Sequence, residues 1–347
     1  MPVIPDSVYS KPLPGLKFLE RSKVRDIYEL PDSSFLLAVA SDWVGVFGFD
    51  LPAFVEKKGE VLNALNIFWR TEVFRGAAND PAGFLHAFGS AYCHNLIGYG
   101  KNILPFLPKC LRNDVSLKRR AVVIRRLKMI PVGAVVRRYL TGRAWKIYRE
   151  STGAGTHGLP VVFGHVLPRG LCEGSRLAEP MFTPRIKTEV DVGDDLPLSE
   201  ERVTELYGRV IKWASSRLYT TAESFGVGKG IVVAEAEFEW GRDDCNRVCL
   251  GGELIVPDSS LFWDVGEWQA ALKEGRSPRS YDQQVLQEWG ETVGIDKLRP
   301  DSSNHIRRVH CLQVPGGVLE RTRDAFLGLF DRLTGFSLDE FQERFLD

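Results

Sequence analysis

Glu235, Glu237 and Glu239 stand on alternate residues of an apolar run, Ile231 to Trp240, whose remaining positions include Ala234, Ala236, Phe238 and Trp240. In an extended chain this spacing puts the three carboxylates on one face, about 7 Å apart, and the apolar set on the other. Like charges so placed repel unless a metal, an arginine or solvent intervenes. A Mg²⁺ ion on this face meets that demand, and a simply wetted acidic face meets it equally well. Lys23 and Arg25, in Arg21-Ser22-Lys23-Val24-Arg25-Asp26, point the same way in extended geometry and suit a phosphate chain, although a solvated strand edge is the commoner use of such a pair. A second basic series runs from Lys118–Arg120 through Arg125, Arg126 and Lys128 to Arg137, Arg138 and Arg143. Basic residues interleaved with strand positions bind nucleotide phosphates or RNA, or form a charged outer face. Pro257-Asp258-Ser259-Ser260 reads as a turn whose carboxylate and hydroxyls can meet a ligand. The histidines show no metal-ligand spacing, and the sequence has no G-x-S-x-G elbow and no Walker loop.

The elements that must carry these groups follow from periodicity. Short β-rich runs, Phe35–Ala40, Ala121–Arg126 and Val132–Tyr139, make the first part sheet-rich. A glycine-rich passage from Ser151 to Gly174 separates two lobes or forms a flap. Beyond it, Ser199 as an N-cap followed by Val203, Leu206, Tyr207, Val210, Ile211, Ala214 and Leu218 predicts one amphipathic helix. Further helices are expected at about Tyr281–Thr292, Leu319–Leu333 and Leu338–Phe345. Strands followed by mixed helix and strand indicate an α+β fold.

The 347 residues are enough for about two domains or one two-lobed unit. With 45 basic and 45 acidic residues the formal charge is zero, which argues against gripping nucleic acid or a membrane surface by bulk charge. The early prolines and the lack of an apolar leader predict a cytoplasmic protein, and the scattered cysteines predict buried free thiols. Asp42, Asp50 and Pro52 interrupt the most apolar window and make a membrane span improbable on length and charge.

Several segments, in order, resemble the SAICAR synthetase (phosphoribosylaminoimidazole-succinocarboxamide synthase) family. Ser22-Lys23-Val24-Arg25-Asp26-Ile27-Tyr28 resembles its G-K-V-R-D-I-Y loop, and Pro131 to Arg143 resembles P-V-E-x-V-V-R-G-Y-L-T-G-S. Phe182-Thr183-Pro184 through Lys187 and Glu189 resembles F-T-P-S-T-K-A-E, and Phe238-Glu239-Trp240-Gly241 resembles F-E-F-G. Pro257-Asp258-Ser259-Ser260-Leu261-Phe262-Trp263 resembles P-D-S-S-R-F-W, and Gly275-Arg276-Ser277-Pro278 with Ser280-Tyr281-Asp282 resembles G-x-S-P-x-S-F-D-K-Q. The resemblance implies a two-lobed α+β fold related to ATP-grasp and kinase-like nucleotide-binding lobes, here divided into residues 1–130, a sheet-rich nucleotide-binding lobe, and 131–347, a larger lobe with C-terminal helices. It implies ATP and Mg²⁺ between the lobes, and activation of an imidazole ribotide carboxylate for attack by aspartate. Carried over, the catalytic set is Glu235, Glu239 and Lys187, with Glu235 and Glu239 on Mg²⁺. The nucleotide and substrate set is Lys23, Arg25, Arg137, Arg143, Asp258, Ser259, Ser260 and Arg276. A phosphorylated nucleotide is the expected partner, with no nucleic acid and no membrane, in a monomer or homodimer.

The motifs also depart from the family. Gly133 replaces the glutamate of P-V-E, Arg143 the serine of T-G-S, and Arg185-Ile186 the S-T pair; Glu235-Ala236-Glu237 replaces D-T-K, so a lysine becomes an acid. Leu261 replaces an arginine and Gln283 a lysine, and the L-I-D-E-V-L-T segment before P-D-S-S is read as almost absent between Leu254 and Pro257, without its acidic pair. Loss of cations predicts weak binding of dianionic aspartate. The expectation is therefore a diverged enzyme on a purine-derived or imidazole nucleotide, as in coformycin- and pentostatin-type nucleoside biosynthesis, with a genuine SAICAR synthetase or a non-catalytic nucleotide-binding protein as alternatives.

Overall fold

The structure, a computed structural model, describes residues 13–21, 25–74, 94–153, 158–187, 197–281 and 283–347. Strands β1 (Lys17–Arg21), β2 (Arg25–Glu29) and β3 (Phe35–Ala40) open the chain, followed by a hairpin of β4 (Trp43–Val46) and β5 (Phe49–Phe54), then β6 (Leu96–Tyr99) and β7 (Ala121–Arg125). Among the described residues the first sheet is antiparallel in the order β1-β2-β3-β7-β6. The chain then enters a second sheet through β8 (Lys128–Tyr139). A small hairpin, β9 (Val161–Val162) and β10 (His165–Val166), precedes β11 (Arg176–Phe182), β12 (Arg185–Ile186), β13 (Ile231–Arg242), β14 (Val248–Leu250) and β15 (Ser260–Asp264). The second sheet runs β11-β8-β13-β14, with β12 also on β8 and β15 also on β13. This α+β architecture is the one expected.

The strand periodicity in β13 is realised. Ala234, Ala236 and Phe238 are fully buried and Trp240 nearly so, while Glu235 and Glu239 remain partly open on the opposite face. Burial of Phe238 alone is worth about 2–3 kcal/mol, enough to fix the register that turns the acids to the other side. One core cluster runs from Ala38 in the first sheet to Leu346 at the C-terminus and joins both sheets.

Helix α1 (Lys58–Phe68) is buried along almost its whole length and lies at the junction. Asp42 accepts from the Gly59 N–H at 2.8 Å, satisfying one of the donors that a helix start leaves open, and also from Arg120 at 2.7 Å. A Cβ on Gly59 would lie 2.8 Å from the Ala40 carbonyl oxygen, so only glycine allows this approach. A short π-helical turn, Trp69–Val73, extends α1. The predicted single helix after Ser199 is two: α2 (Glu200–Tyr207), capped by Ser199, and α3 (Val210–Gly228). Gly208, at φ +83°, ends the first, a conformation that glycine adopts without a Cβ penalty. The C-terminal helices, including Gln284–Thr292, Gly316–Thr334 and Leu338–Phe345, lie close to their expected positions. Cys249 is disulfide-bonded and Cys110, Cys172, Cys245 and Cys311 are free but exposed, correcting the expectation of buried free thiols. No helix among the described residues is long and apolar enough to cross a membrane.

Candidate active site between the two sheets

A cavity of about 540 Å³ opens between the sheets. Ile27, Leu36, Ala38 and Ile124 of the first sheet, with Leu127 and Met129, give it an apolar wall. Glu237 and Glu239 from β13, Glu253 and Asp258 from the segment before β15, and Arg25, Arg185 and Lys187 give it charge. Such a space, apolar on one side and ionic on the other, fits a planar base carrying phosphates.

Every one of these carboxylates meets a cation. Arg25 donates to Glu253 at 2.6 Å, with both side chains nearly buried. Lys58 at the start of α1, its side chain fully buried, donates to Asp258 at 2.5 Å, and Gln283 donates to the other Asp258 oxygen at 2.8 Å. Arg185 pairs with Glu237, and Lys187 pairs with Glu239 and lies 3.4 Å from Glu237. Burial works to lower the Lys187 pKa, but Glu239 and Glu237 outweigh it and hold the ammonium above the ordinary lysine value. Burial, reinforced by Asp258, raises Glu253 above the usual carboxylate value despite Arg25 and Lys58.

Glycines make room for the acids. A Cβ on Gly133 would collide with the Glu237 carboxylate, and one on Gly252, itself at φ +54°, would collide with that of Glu239. Gly251 and Gly252 are held from below by Arg70 of the π-turn, 3% exposed, which donates to their carbonyl oxygens at 3.1 and 2.8 Å and to Asn95 Oδ1 at 2.9 Å. That guanidinium fixes the segment that presents Glu253.

A second cavity of about 420 Å³ adjoins the first, with Arg185, Glu237, Pro257, Asp258 and Ser259 lining both. Arg137, Arg143, Thr141, Thr183, Glu235, Ser260 and Phe163 complete it. Arg137 is 8% exposed, donates to Thr183 Oγ1 at 2.9 Å and pairs with Glu235 at 2.9 Å. The Ser260 hydroxyl is buried with no hydrogen-bond partner among the described residues. An orphaned buried hydroxyl beside two arginines is a polar group awaiting an anionic or hydroxylated ligand.

The expected site residues are thereby placed. Arg25, Lys187, Glu239 and Asp258 line the first chamber; Arg137, Arg143, Glu235 and Ser260 line the second; Asp258 and Ser259 belong to both. Lys23 lies outside the described residues. Glu235 and Glu239 share a strand face but open into different chambers, and each already holds a cation, so the structure does not assemble them as one metal pair. Arg276 lines neither chamber; Glu267 at 2.5 Å and Glu274 at 2.5 Å hold it elsewhere. Among the described residues no ready-made cluster of three metal-ligating side chains exists. Glu253, Lys58 and Arg70 are the functional candidates that the sequence reading missed. Counting back from P-D-S-S would have found the first, since the glutamate of L-I-D-E-V-L-T stands four residues before the proline, where Glu253 stands here. The acidic segment is therefore present in part, with Gly252 in place of its aspartate.

The charged lining suits a nucleotide that brings its own magnesium. Glu253, Glu239 and Asp258 are separate hard oxygen donors around one chamber, and the cations now paired with them are the groups that phosphates would attract. The raised Glu253 pKa marks a desolvated carboxylate that a further cation would stabilise.

Comparison with known proteins agrees with this fold. The sequence profile of the SAICAR synthetase family matches residues 18–299. Phosphoribosylaminoimidazole-succinocarboxamide synthase of Methylobacillus flagellatus is 33% identical over 325 residues, 92% of this chain and 95% of that protein. The Saccharomyces cerevisiae protein of the same name is 32% identical over 328 residues, 92% of this chain and 95% of its own length. Among solved structures, SAICAR synthase from Saccharomyces cerevisiae complexed with SAICAR superposes with a TM-score of 0.74 at 31% identity, covering 95% of this chain and 99% of that one.

Proposed function

The chain belongs to the SAICAR synthetase family of ATP-dependent ligases, and from that premise we propose that it joins aspartate to the carboxylate of an aminoimidazole ribotide. The observation that carries this reading is the pair of chambers meeting at one wall, Arg185, Glu237 and Pro257–Ser259, with the base-sized apolar space on one side and the arginine-lined space on the other. In this reading the lobe of residues 1–130 supplies the apolar wall for the adenine, and Arg25, Lys187 and Arg185 meet the phosphates. Arg137, Arg143 and Ser260 hold the ribotide, so that its carboxylate reaches the shared wall. A ribotide carboxylate oxygen takes the γ-phosphoryl group and ADP leaves; the amine nitrogen then attacks the acyl carbon, phosphate leaves, and the amine gives up a proton as the amide forms. Cations fixed along that path stabilise the charge that builds on the transferred group, the larger part of catalysis in phosphoryl transfer. Magnesium carried on the nucleotide phosphates, with Glu253 as one protein oxygen donor, would supply charge neutralisation across those phosphates.

One feature favours a second, narrower reading. Glu237, clamped by Arg185 and Lys187, puts a carboxylate on the shared wall where the family motif has lysine, and Trp43 and Leu261 bring aromatic and apolar surface to the two chambers. That surface suits an intact heterocycle better than a small dianion, as a purine-derived nucleotide in coformycin- or pentostatin-type biosynthesis would present. Complementation of a purine-requiring strain that lacks its own SAICAR synthetase separates the two. Growth without added purine supports the first reading; no growth, together with turnover of a purine-derived nucleotide by the purified protein, supports the narrower one.

A further inference from the structure

The hairpin β9–β10 turns through only Phe163 and Gly164, since Val162 pairs with His165. Both turn residues have positive φ, 49° for Phe163 and 83° for Gly164. A two-residue turn of this kind calls for asparagine, aspartate or glycine at its first position, because a side chain there crowds the backbone. A phenylalanine is a costly choice, and residues held in such a conformation concentrate where the strain serves a ligand. The position of the ring supplies the reason. It lines the second chamber, and the Arg137 guanidinium lies over it, 5.2 Å from its centroid. His165 ties the hairpin to the second sheet through Nε2 and the Phe182 carbonyl oxygen at 3.1 Å, so the tip is anchored above the same chamber. Arg137 in turn is held by Glu235 and Thr183.

We propose that Phe163 is a ligand-contacting specificity residue, a hairpin-borne aromatic plate that closes the second chamber over the planar heterocycle of the ribotide. The inference rests on the reading of that chamber as the ribotide site. The ring adds π-surface beside a cation that holds the anionic end of the same ligand, so the two parts of a ribotide are read by adjacent groups. The alternative use of the ring is packing, since Phe163 also touches the cluster around Leu140, Tyr148 and Leu167.

Three substitutions separate these roles. Phe163→Tyr keeps an aromatic face, Phe163→Leu keeps apolar bulk without one, and Phe163→Asn suits the backbone but has neither. The probes are 5-aminoimidazole-4-carboxamide ribotide, ribose 5-phosphate, which lacks the heterocycle, and a non-hydrolysable ATP analogue, each titrated calorimetrically into the full-length protein. The expected result is a loss of about tenfold in aminoimidazole ribotide affinity for the Leu and Asn variants and under twofold for Tyr, the range for stacking of one base on one ring. Ribose 5-phosphate and the ATP analogue should bind all variants as they bind the wild type. Equal ribotide binding by Leu and wild type would overturn the stacking role and leave packing. Wild-type protein that binds ribose 5-phosphate but gains nothing from the heterocycle would also overturn it. Wild-type protein that binds neither ribotide nor ribose 5-phosphate would instead overturn the reading of the chamber itself.

Discussion

At the scale of single residues, the site is a set of opposed charges held at close range, and two of them decide its chemistry. Glu253 is a nearly buried carboxylate of the first chamber, balanced by Arg25 at 2.6 Å. Its replacement by glutamine keeps the size and removes the charge that a nucleotide-bound cation would meet. ADP formation measured against Mg²⁺ concentration should show kcat lower by about 10²-fold and a higher Mg²⁺ requirement; an unchanged Mg²⁺ curve would remove Glu253 from the metal-holding set. Glu237 is the second. It occupies the space that a side chain on Gly133 would need, and it pairs with Arg185 and Lys187. The departures at 133, 185 and 237 therefore form one unit in which the carboxylate has moved across the strand pair and the new arginine answers it. Glu237→Lys alone sets three cations together and should destabilise the fold by about 2 kcal/mol, a figure discounted for the partial exposure of Arg185. Adding Arg185→Ser should recover roughly half of that, a coupling of the size seen between contacting residues. Thermal or urea unfolding of the single and double variants checks it, and strict additivity would mean that the three positions act independently.

At the scale of elements, what the sequence disclosed and what it hid divide along physical lines. The alternation in β13 was legible because a strand has a period of two, and one buried phenylalanine and tryptophan leave a single register. Glu253 was hidden because Gly251-Gly252-Glu253 is irregular, with a bend at Gly252, and no periodicity marks which way a side chain points. Lys58 and Arg70 were hidden for a different reason: α1 is buried nearly all round, so its charged ends carry no amphipathic signature. The break at Gly208 escaped because the apolar spacing continues across it into α3. The segment that carries Glu253 depends on a second buried element. His94 makes an isolated bridge with Leu250, and Asn95 donates to the Leu250 carbonyl oxygen at 3.0 Å while receiving Arg70. Burial, helped by the Arg70 charge, pushes His94 down to about 4. A histidine depressed in the folded state stays neutral there while the unfolded chain takes up a proton below its ordinary value near 6.5. Stability from this group is thus fully present above about pH 6.5 and is lost as pH falls toward 4, on the order of 3 kcal/mol in all. Urea unfolding at pH 7 and pH 5 should show a drop for the wild type that His94→Asn reduces; an identical pH dependence in the variant would mean that His94 titrates normally.

At the scale of the whole molecule, two antiparallel sheets share a core that runs to the C-terminus; the first chamber lies between them, and the second adjoins it along the second sheet and the β9–β10 hairpin. The first sheet brings the apolar wall and Arg25, the second brings the acid face of β13 and the arginines of β8 and β12, and α1 inserts Lys58 behind Asp258. The residues that the proposed route assigns to phosphates, magnesium and ribotide are divided between the two sheets, so catalysis by that route requires both. The most direct test combines purified protein, MgATP, carboxyaminoimidazole ribotide and aspartate, and follows ADP, phosphate and the succinocarboxamide product by chromatography. The account predicts one amide formed per ADP and phosphate released, with no turnover when aspartate is omitted. Tight binding of ATP and ribotide without any amide formed from aspartate would contradict it.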